Sequence, residues 1–230
     1  MDFSAIILAA GKGTRTGLEY NKVFTKIHGK KVLDYSIDFF EEFADCKEIV
    51  LVCSASDFNY IYDQYRGRVK RIIIGGETRQ ESVYKGLNVA TYEYVLVHDS
   101  ARPHINPVKI KNLVENVELT KASTLAVFAT DTVVISNGNR LGKRLDRNSV
   151  LMLQTPQAFD RQLILEAHEK AIDVGYTATD DTDLITRFTE VVPSYIEGDY
   201  RSIKLTTKED IEFLKVILWL ESDKVQTYID

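Results

Sequence analysis

The residues with the clearest chemical character lie in one segment near the start of the chain, AIILAAGKGTRTGLEYNK (5–22). Its apolar run, residues 5–8, is typical of a strand buried on both faces of a parallel sheet. Small residues then let the backbone turn sharply and approach a ligand closely: Ala9, Ala10, Gly11 and Gly13. Two cations, Arg15 and Lys22, follow seven positions apart. Backbone amides and cations in this order predict the binding of a triphosphate.

Two familiar glycine motifs do not fit this loop. A dinucleotide fingerprint requires G-x-G-x-x-G opening directly into a helix, with an acidic residue about 20 positions on. Here the third glycine, Gly17, comes one position late, and helical periodicity begins only at about Val32. A Walker loop requires G-x-x-x-x-G-K-[ST], which is absent at that spacing. Taken alone, the loop leaves a plain glycine-rich turn open as the alternative.

Two further loops with polar residues come directly after predicted strands. In HDSARP (98–103), Asp99 is placed to bind Mg²⁺, and Arg102 can pair with Asp99 or hold a phosphate; a turn with a surface ion pair is the alternative. In GGETR (75–79), two glycines permit close approach to a flat ring, and exposed amides and carbonyls can read a base edge. Here a left-handed turn with capping residues is the alternative.

Strand-like and helix-like patterns alternate through the first half of the chain. Strands are predicted at 5–8, 48–54, 69–76 and 94–99, and helices at about 32–43, 57–65 and 79–90. This spacing indicates βαβ units and a Rossmann-like, mostly parallel sheet flanked by helices, which is an α/β fold. Ligands of such sheets bind at the carboxyl ends of the strands, so we expect the three marked loops to converge there.

The middle of the chain departs from this pattern. An Asn-Gly pair at 137–138 lies between two extended stretches, which predicts a protruding β-hairpin arm at about 131–153. The arm carries four basic residues: Arg140, Lys143, Arg144 and Arg147. Helices are predicted at 160–174, 180–188 and 208–222, and strands within VVPSYIEG and SIKLTT. The acidic run at 180–183 is explained as a helix start rather than a metal site. We expect a single domain, 1–230, bearing the arm.

Bulk composition excludes several classes of partner. The 230 residues carry a net charge of −5, so no global basic field favours nucleic acid or an anionic membrane. The N-terminus is unlike a signal peptide, and no run of 18 apolar residues occurs. Cys46 and Cys53 lack metal-ligand spacing and are predicted to be free thiols, which suits a cytoplasmic protein. An acidic protein that binds a triphosphate must concentrate its positive charge locally.

An ordered set of motifs across residues 4–215 adds a family resemblance. The set comprises ILAAGKGTR with Lys22, GGETRQESV, VLVHDSARP, TDT, DRN, QTPQAF, TDDTDL and SIKLTTKED. These segments resemble the cytidylyltransferase branch of the nucleotidyltransferases, and within it the 2-C-methyl-D-erythritol 4-phosphate cytidylyltransferase family. The resemblance implies a reaction of CTP with methylerythritol phosphate that gives CDP-methylerythritol and pyrophosphate. It also implies Mg²⁺ as cofactor and a homodimer formed through the arm.

The resemblance further implies roles for individual residues around the nucleotide. Arg15 and Lys22 match the pair that stabilises the transition state, and Lys204 matches a third cation near the α-phosphate. Asp99 matches the acid near Mg²⁺ and substrate. The positions around the cytidine are matched by Ala9, Ala10, Gly11, Gly76, Glu77 and Ser82.

Other matched positions concern the acceptor. Thr132 and Arg147 match arm residues that grip the methylerythritol phosphate, typically in the neighbouring subunit's site, and Thr155 falls in the matching QTPQ segment. Three positions depart from the family pattern: Thr16 replaces a frequent methionine, and Asn21 and Lys31 replace prolines. These changes are expected to alter loop stiffness rather than charge.

Three alternative functions stay open. A ribitol-5-phosphate cytidylyltransferase for cell-wall polymers is the main rival, although ARP after HDS and DRN ahead of QTPQ look more like the methylerythritol enzyme. A dinucleotide-binding dehydrogenase is disfavoured by the late third glycine and the cations at 15 and 22. A catalytically silent nucleotide-binding protein is disfavoured by the presence of Arg15, Lys22, Asp99 and Lys204.

Overall fold

The computed structural model of the protein describes residues 1–11 and 20–221. The strands in these residues are β1 (Phe3–Ala9), β2 (Lys26–Ile27), β3 (Lys30–Lys31), β4 (Cys46–Cys53), β5 (Arg71–Ile74), β6 (Tyr94–Asp99), β7 (Ala122–Phe128), β8 (Val134–Asn137), β9 (Arg140–Arg144), β10 (Leu151–Asp160) and β11 (Ser194–Glu197). The α-helices are α1 (Val32–Glu42), α2 (Phe58–Tyr65), α3 (Arg79–Val89), α4 (Pro107–Thr120), α5 (Arg161–Asp173), α6 (Asp181–Phe188) and α7 (Glu209–Leu220). Short 3₁₀ turns occupy Lys22–Phe24 and Arg147–Ser149.

Seven of the described strands form a main sheet with the order β11-β7-β10-β6-β1-β4-β5, and the pairs β2-β3 and β8-β9 form two separate small sheets. Neighbours pair in parallel except at β10, which runs antiparallel to both β6 and β7. The predicted α/β fold with a mostly parallel sheet is therefore confirmed. Because β1, β4, β5 and β6 are mutually parallel neighbours, their carboxyl ends lie side by side at one edge of the sheet.

Helices cover both faces of the sheet, as its apolar strands require. α1, α2 and α4 pack on one face with Ala5 and Ile7 of β1, whereas α3, α5 and α6 pack on the other with Ile6. The alternation within β1 follows from the two-residue period of a strand, which points successive side chains to opposite faces. Each fully buried isoleucine of β1, such as Ile6 and Ile7, stabilises the fold by about 1.5–3 kcal/mol. Burial of this strand from both sides holds its carboxyl end in place.

The predicted arm is present as a hairpin of β8 and β9 outside the main sheet. Its turn uses Gly138 at φ +59°, a left-handed conformation that glycine adopts without steric cost. The arm ends earlier than the predicted residue 153, because β10 begins at Leu151 and Met152 already pairs with Val127 of the main sheet. Antiparallel pairing with β7 thus takes up the last predicted arm residues.

The strand predicted within SIKLTT is wrong. Residues 202–207 join no sheet, and a single backbone bond, from Leu205 N–H to the Ala101 carbonyl (2.8 Å), ties them to the loop after β6. Leu205 is buried with Leu214 and Leu218 of α7. The apolar alternation that predicted a strand therefore serves to anchor an extended segment beside the carboxyl end of β6.

Two bulk predictions can be compared with the structure. No helix within residues 1–11 and 20–221 combines the length and apolar character needed to cross a bilayer. Cys46 and Cys53 are both free thiols, as their spacing predicted.

Candidate active site

A cavity of about 560 Å³ lies at the carboxyl edge of the sheet. The three marked loops meet there as predicted, contributing Ala10 and Gly11 after β1, the 75–79 loop after β5, and Asp99 at the end of β6. A fourth strand end also lines the cavity, because residues 54–56 follow β4. Lys22 and Lys204 complete the wall. The convergence of four strand ends makes this cavity the candidate active site.

The 75–77 backbone is shaped by α3. The N–H of Gly76 donates to Ser82 Oγ (3.1 Å), and the N–H of Glu77 donates to a carboxylate oxygen of Glu81 (2.8 Å). The carbonyl of Gly75 accepts from Lys85 Nζ (2.9 Å). These amides, expected to read a base edge, are therefore committed within the protein.

Both glycines of this loop are required by space. A Cβ on Gly76 would lie 2.2 Å from Glu81 Cβ, and one on Gly75 would lie 2.6 Å from Ser82 Oγ. Neither glycine is among those with positive φ. The left-handed conformation considered from the sequence is therefore absent at these two glycines, whereas the capping residue considered with it is present, since Thr78 Oγ1 accepts from the Glu81 N–H (3.1 Å). The glycines allow the loop to lie directly against the first turn of α3.

Asp99 lies between two cations. Its Oδ1 accepts from Arg79 Nε (3.2 Å) and its Oδ2 accepts from Lys204 Nζ (2.5 Å). Burial alone would raise the pKa of the Asp99 carboxyl, but the charges of Arg79 and Lys204 outweigh it and hold that pKa well below its usual range. Thr155, which is 5% exposed, accepts from the Asp99 N–H through Oγ1 (3.1 Å). Asp99 is thus a carboxylate held ionised and fixed in orientation.

Arg79 has a second buried partner that the sequence did not reveal. Its Nη1 donates to Asp181 Oδ2 (2.7 Å), and the Asp181 side chain is only 1% exposed. The predicted helix start is nevertheless present, because the Asp180 side chain accepts from the Asp183 N–H (3.0 Å). In the sequence, the one indication of this ion pair is that Arg79 ends the GGETR loop, which follows a predicted strand. Asp181 thus orients Arg79 toward Asp99.

Two lysines from distant parts of the sequence, Lys22 and Lys204, line the cavity. Lys22 is 9% exposed, and its Nζ donates to the Leu205 carbonyl (2.6 Å). Lys204, one position before that carbonyl, is extended toward Asp99. The segment 202–207 therefore links both lysines. Arg15 lies outside the described residues.

Several matched residues lie away from the cavity wall. Ala9 is 1% exposed and is absent from the cavity lining, whereas Thr155 lies behind Asp99. Thr132 and Arg147 are exposed on the arm and do not line the cavity of their own chain; Arg147 Nη1 donates to the Thr130 carbonyl (3.2 Å). Their expected role in a neighbouring site stays a prediction.

The other polar residues of the HDSARP loop are structural. Arg102 donates through Nη1 to the Ser202 carbonyl (2.5 Å) instead of pairing directly with Asp99. His98 is fully buried beside Ser36 Oγ, as a packed strand residue should be. Burial lowers the pKa of His98 to about 4, so the imidazole is neutral at pH 7.

The two departures from family prolines leave the backbone in a proline-like conformation. Asn21 has φ −61° and Lys31 has φ −67°, both inside the range of about −65 ± 15° that a proline ring imposes. Both side chains make contacts that a proline ring could not make, and Lys31 also adds a positive charge, so the expectation of unchanged charge is wrong at that position. Lys31 Nζ lies 5.0 Å from the Tyr60 ring centroid, and Asn21 forms hydrogen bonds of its own.

The carboxylates can be compared with the needs of a divalent cation. Within residues 1–11 and 20–221, no three His, Cys, Asp or Glu side chains form a ready-made metal site. Mg²⁺ in phosphoryl-transfer sites typically binds one or two carboxylates and takes its other ligands from phosphates and water. Asp99, ionised and on the cavity wall, fits a site completed by the substrate.

This combination of features defines a class of protein. A mostly parallel sheet whose carboxyl edge carries a glycine-lined cavity, two lysines and an ionised aspartate is characteristic of α/β enzymes acting on nucleotides. Residues 3–219 match the family model of 2-C-methyl-D-erythritol 4-phosphate cytidylyltransferase, and the chain belongs to that family of nucleotidyltransferases.

Individual relatives agree with this assignment. The chain is 41% identical over 223 residues to the 2-C-methyl-D-erythritol 4-phosphate cytidylyltransferase of Geobacillus kaustophilus, covering 95% of this chain and 97% of the relative. The crystal structure of 4-diphosphocytidyl-2C-methyl-D-erythritol synthase from Anaerococcus prevotii superposes with a TM-score of 0.83 at 31% identity, covering 95% and 96% of the two chains. The Thermus thermophilus cytidylyltransferase has a TM-score of 0.80 at 26% identity, covering 94% of this chain and 98% of its own.

Proposed function

We propose that this protein transfers the cytidylyl group of CTP to 2-C-methyl-D-erythritol 4-phosphate, giving CDP-methylerythritol and pyrophosphate for isoprenoid precursor synthesis. The observation that carries the proposal is the meeting of Lys22, Asp99 and Lys204 in one glycine-lined cavity at the carboxyl edge of the sheet. The names and coverage of the relatives support the same reaction.

The proposed reaction needs no general base. A phosphate monoester has its second pKa near 6, so the acceptor oxygen is largely anionic at pH 7. This oxygen forms a bond to the α-phosphorus of CTP while the bond from that phosphorus to the β-phosphate bridging oxygen breaks, and pyrophosphate leaves with the electron pair. The described site agrees with this scheme, because His98, the histidine next to Asp99 in the chain, is fully buried and is absent from the cavity lining.

Catalysis then depends on bringing two polyanions together and neutralising charge on the pentacoordinate phosphorus. Lys22 and Lys204 lie on the cavity wall and can supply two positive charges there. We assign the third to Arg15 on the family resemblance. Asp99 would hold Mg²⁺ together with the substrate phosphates, and the ion would supply further neutralisation of phosphate charge.

The cytidine is assigned to the glycine-rich side of the cavity. Ala10, Gly11, Gly76, Glu77 and Ser82 line that side. Because the Gly76 and Glu77 N–H groups donate internally, the loop is rigid before a ligand arrives. A loop that is already ordered loses less conformational entropy on binding than a flexible loop would.

We further propose that the protein is a homodimer in which the arm completes the partner's site. The arm exposes large apolar side chains, including Ile135 (51%) and Leu141 (77%), which a monomer would leave in water. Arg147 and Thr132 do not line their own chain's cavity. The free thiols Cys46 and Cys53 support the predicted cytoplasmic location.

Mixing two strongly impaired variants tests the dimer. If arms exchange, Lys204→Ala and Arg147→Ala subunits form heterodimers with one intact site, and random pairing should recover about a quarter of wild-type activity. Each variant alone is the control. A monomeric protein by light scattering, or no recovery on mixing, would contradict the exchange.

The proposed reaction is tested by pyrophosphate release. Purified protein with CTP and Mg²⁺ should release pyrophosphate when 2-C-methyl-D-erythritol 4-phosphate is added, and should release far less with ribitol 5-phosphate. Omitting the acceptor gives the hydrolysis background. Faster turnover of ribitol 5-phosphate would replace the proposed acceptor, and no release with either polyol phosphate would refute cytidylyl transfer.

A further inference from the structure

The side chain of Asn21 makes three hydrogen bonds beside the cavity. Its Nδ2 donates to the Ala9 carbonyl (2.9 Å) and to Asp57 Oδ2 (3.0 Å). Its Oδ1 accepts from the Val23 N–H (3.3 Å). Both donor hydrogens and the acceptor oxygen of the carboxamide are thus in use.

These bonds join two strand ends that line the cavity. Ala9 is the last residue of β1, and Asp57 immediately precedes α2 in the loop that follows β4. Asp57 is itself held by Ser54, whose Oγ donates to Asp57 Oδ2 (2.8 Å) and accepts from the Asp57 N–H (3.1 Å). Asn21 therefore ties the polypeptide that follows the glycine loop to both β1 and β4.

The next residue in the chain is Lys22. The turn that contains it is closed by the Phe24 N–H donating to the Asn21 carbonyl (2.9 Å) and the Thr25 N–H donating to the Lys22 carbonyl (3.1 Å). The Lys22 side chain then crosses to the Leu205 carbonyl (2.6 Å). The short turn thus carries the backbone of Lys22, while its ammonium group is bound at the Leu205 carbonyl on the other side.

We propose that Asn21 is a positioning residue for Lys22, acting as a clamp that needs the amide N–H₂ group to join Ala9 and Asp57. This inference rests on the proposed function, in which Lys22 neutralises charge in the transition state. Displacing a charged group by about 1 Å from its productive position costs on the order of 100-fold in rate. The clamp would thus act on turnover through Lys22 without touching the substrate.

A simpler role for Asn21 would be to cap the 3₁₀ turn. The two roles make different demands, because aspartate is as good a cap as asparagine. Aspartate cannot donate to the Ala9 carbonyl, and its carboxylate would face that of Asp57. Asn21→Asp therefore keeps the capping acceptor, removes the two donated bonds of the clamp and places a second carboxylate beside Asp57, and the double variant described below removes that added charge contact.

The test uses Asn21→Asp, the rescuing double variant Asn21→Asp/Asp57→Asn, and a matched control. Asn88→Asp is that control, since Asn88 is exposed on α3 and donates only to the Tyr84 carbonyl (2.8 Å). We expect Asn21→Asp to lower kcat about 30- to 100-fold with the KM for CTP within about threefold. The double variant should regain about tenfold, because the amide at position 57 can donate to the new carboxylate.

A second readout needs no turnover. Amine-reactive labelling followed by mass spectrometry measures the access of reagent to Lys22, which is 9% exposed. Lys22 should be labelled slowly in the wild type and in Asn88→Asp, faster in Asn21→Asp, and slowly again in the double variant. Circular dichroism and thermal midpoints confirm that each variant is folded.

The outcomes separate this inference from the proposed function. Wild-type protein that releases no pyrophosphate from CTP and the polyol phosphate overturns the proposed function, whereas the labelling pattern still decides whether Asn21 positions Lys22. An Asn21→Asp variant that matches Asn88→Asp in kcat and in labelling overturns the clamp. A loss confined to the KM for CTP, or no recovery in a folded double variant, also overturns it.

Discussion

Replacing Lys204 by alanine is the perturbation whose size the structure defines best. The ammonium group lies 2.5 Å from Asp99 Oδ2 on the cavity wall, and 35% of the side chain is exposed. A positive charge about 4 Å from charge developing on the phosphorus contributes about 4 kcal/mol at an effective dielectric constant near 20. Partial exposure reduces this to about 2–3 kcal/mol, which corresponds to a loss of about 30- to 150-fold in kcat.

The fold should tolerate this change. Asp99 keeps its hydrogen bond from Arg79 Nε (3.2 Å), so its carboxylate is not left without a counter-charge. The Lys204 backbone contributes no strand pairing that the substitution would break. We therefore expect a folded Lys204→Ala protein whose defect is concentrated in the chemical step, with the KM for CTP changed only a few-fold.

The assay is steady-state pyrophosphate release at saturating CTP, Mg²⁺ and acceptor. Lys208→Ala is the matched control, because it removes the same charge four positions along the chain at an exposed residue outside the cavity lining. It should retain kcat within about twofold, as surface charges contribute little. If Lys204→Ala stays within threefold of Lys208→Ala while folded, Lys204 does not neutralise transition-state charge and the reasoning is refuted.

Three further predictions rest on the described site and, for Arg15, on the family resemblance. Arg15→Ala and Lys22→Ala should each lower kcat much more than they weaken CTP binding measured by calorimetry, and near-wild-type turnover in both would contradict the assignment. Gly76→Ala should weaken CTP binding about 10- to 100-fold, because its Cβ would lie 2.2 Å from Glu81 Cβ and force the loop to move at a cost of about 1–3 kcal/mol; unchanged affinity would show that the loop does not contact the nucleotide. Burial lowers the pKa of His98 from 6.5 in the unfolded chain to about 4 in the folded protein. As the pH falls from 6.5 to 4, the imidazole therefore becomes protonated in the unfolded chain but not in the folded protein. The free energy of unfolding, which is highest above pH 6.5, decreases over this range. Urea unfolding should show up to about 3 kcal/mol of this loss in the wild type and a flatter dependence in His98→Asn, and equal slopes would contradict it.

The parts of the fold that could be predicted from sequence are those set by local periodicity. The strand at 94–99 and the helix at 79–90 have unbroken patterns, and the structure places them at Tyr94–Asp99 and Arg79–Val89. The meeting of the loops after β1, β5 and β6 could also be predicted from the sequence, because parallel βαβ units place the carboxyl ends of neighbouring strands at one edge of the sheet. The residue at which the arm ends could not be predicted from the sequence, because the antiparallel pairing from Leu151 onward depends on β7, a strand elsewhere in the chain.

The connections within the candidate site could not be predicted, because they join residues distant in sequence. Arg79 and Asp181 are 102 positions apart, and nothing local distinguishes Asp181 from the other acids at its helix start. Lys204 lay in the segment SIKLTT, which predicted a strand, whereas the structure leaves that segment outside the sheet and directs the Lys204 side chain to Asp99. In each case the chemistry arises from which elements the sheet brings together, and only the family resemblance pointed to Lys204 beforehand.

The central claim is that CTP and a methylerythritol phosphate are the two substrates of this cavity. It is tested most directly by a competition in one vessel, with CTP, Mg²⁺ and equimolar 2-C-methyl-D-erythritol 4-phosphate and ribitol 5-phosphate, and with the cytidine diphosphate products separated by mass spectrometry. The account predicts CDP-methylerythritol as the dominant product, formed in a one-to-one ratio with pyrophosphate. CDP-ribitol as the dominant product, or pyrophosphate without either conjugate, would contradict it.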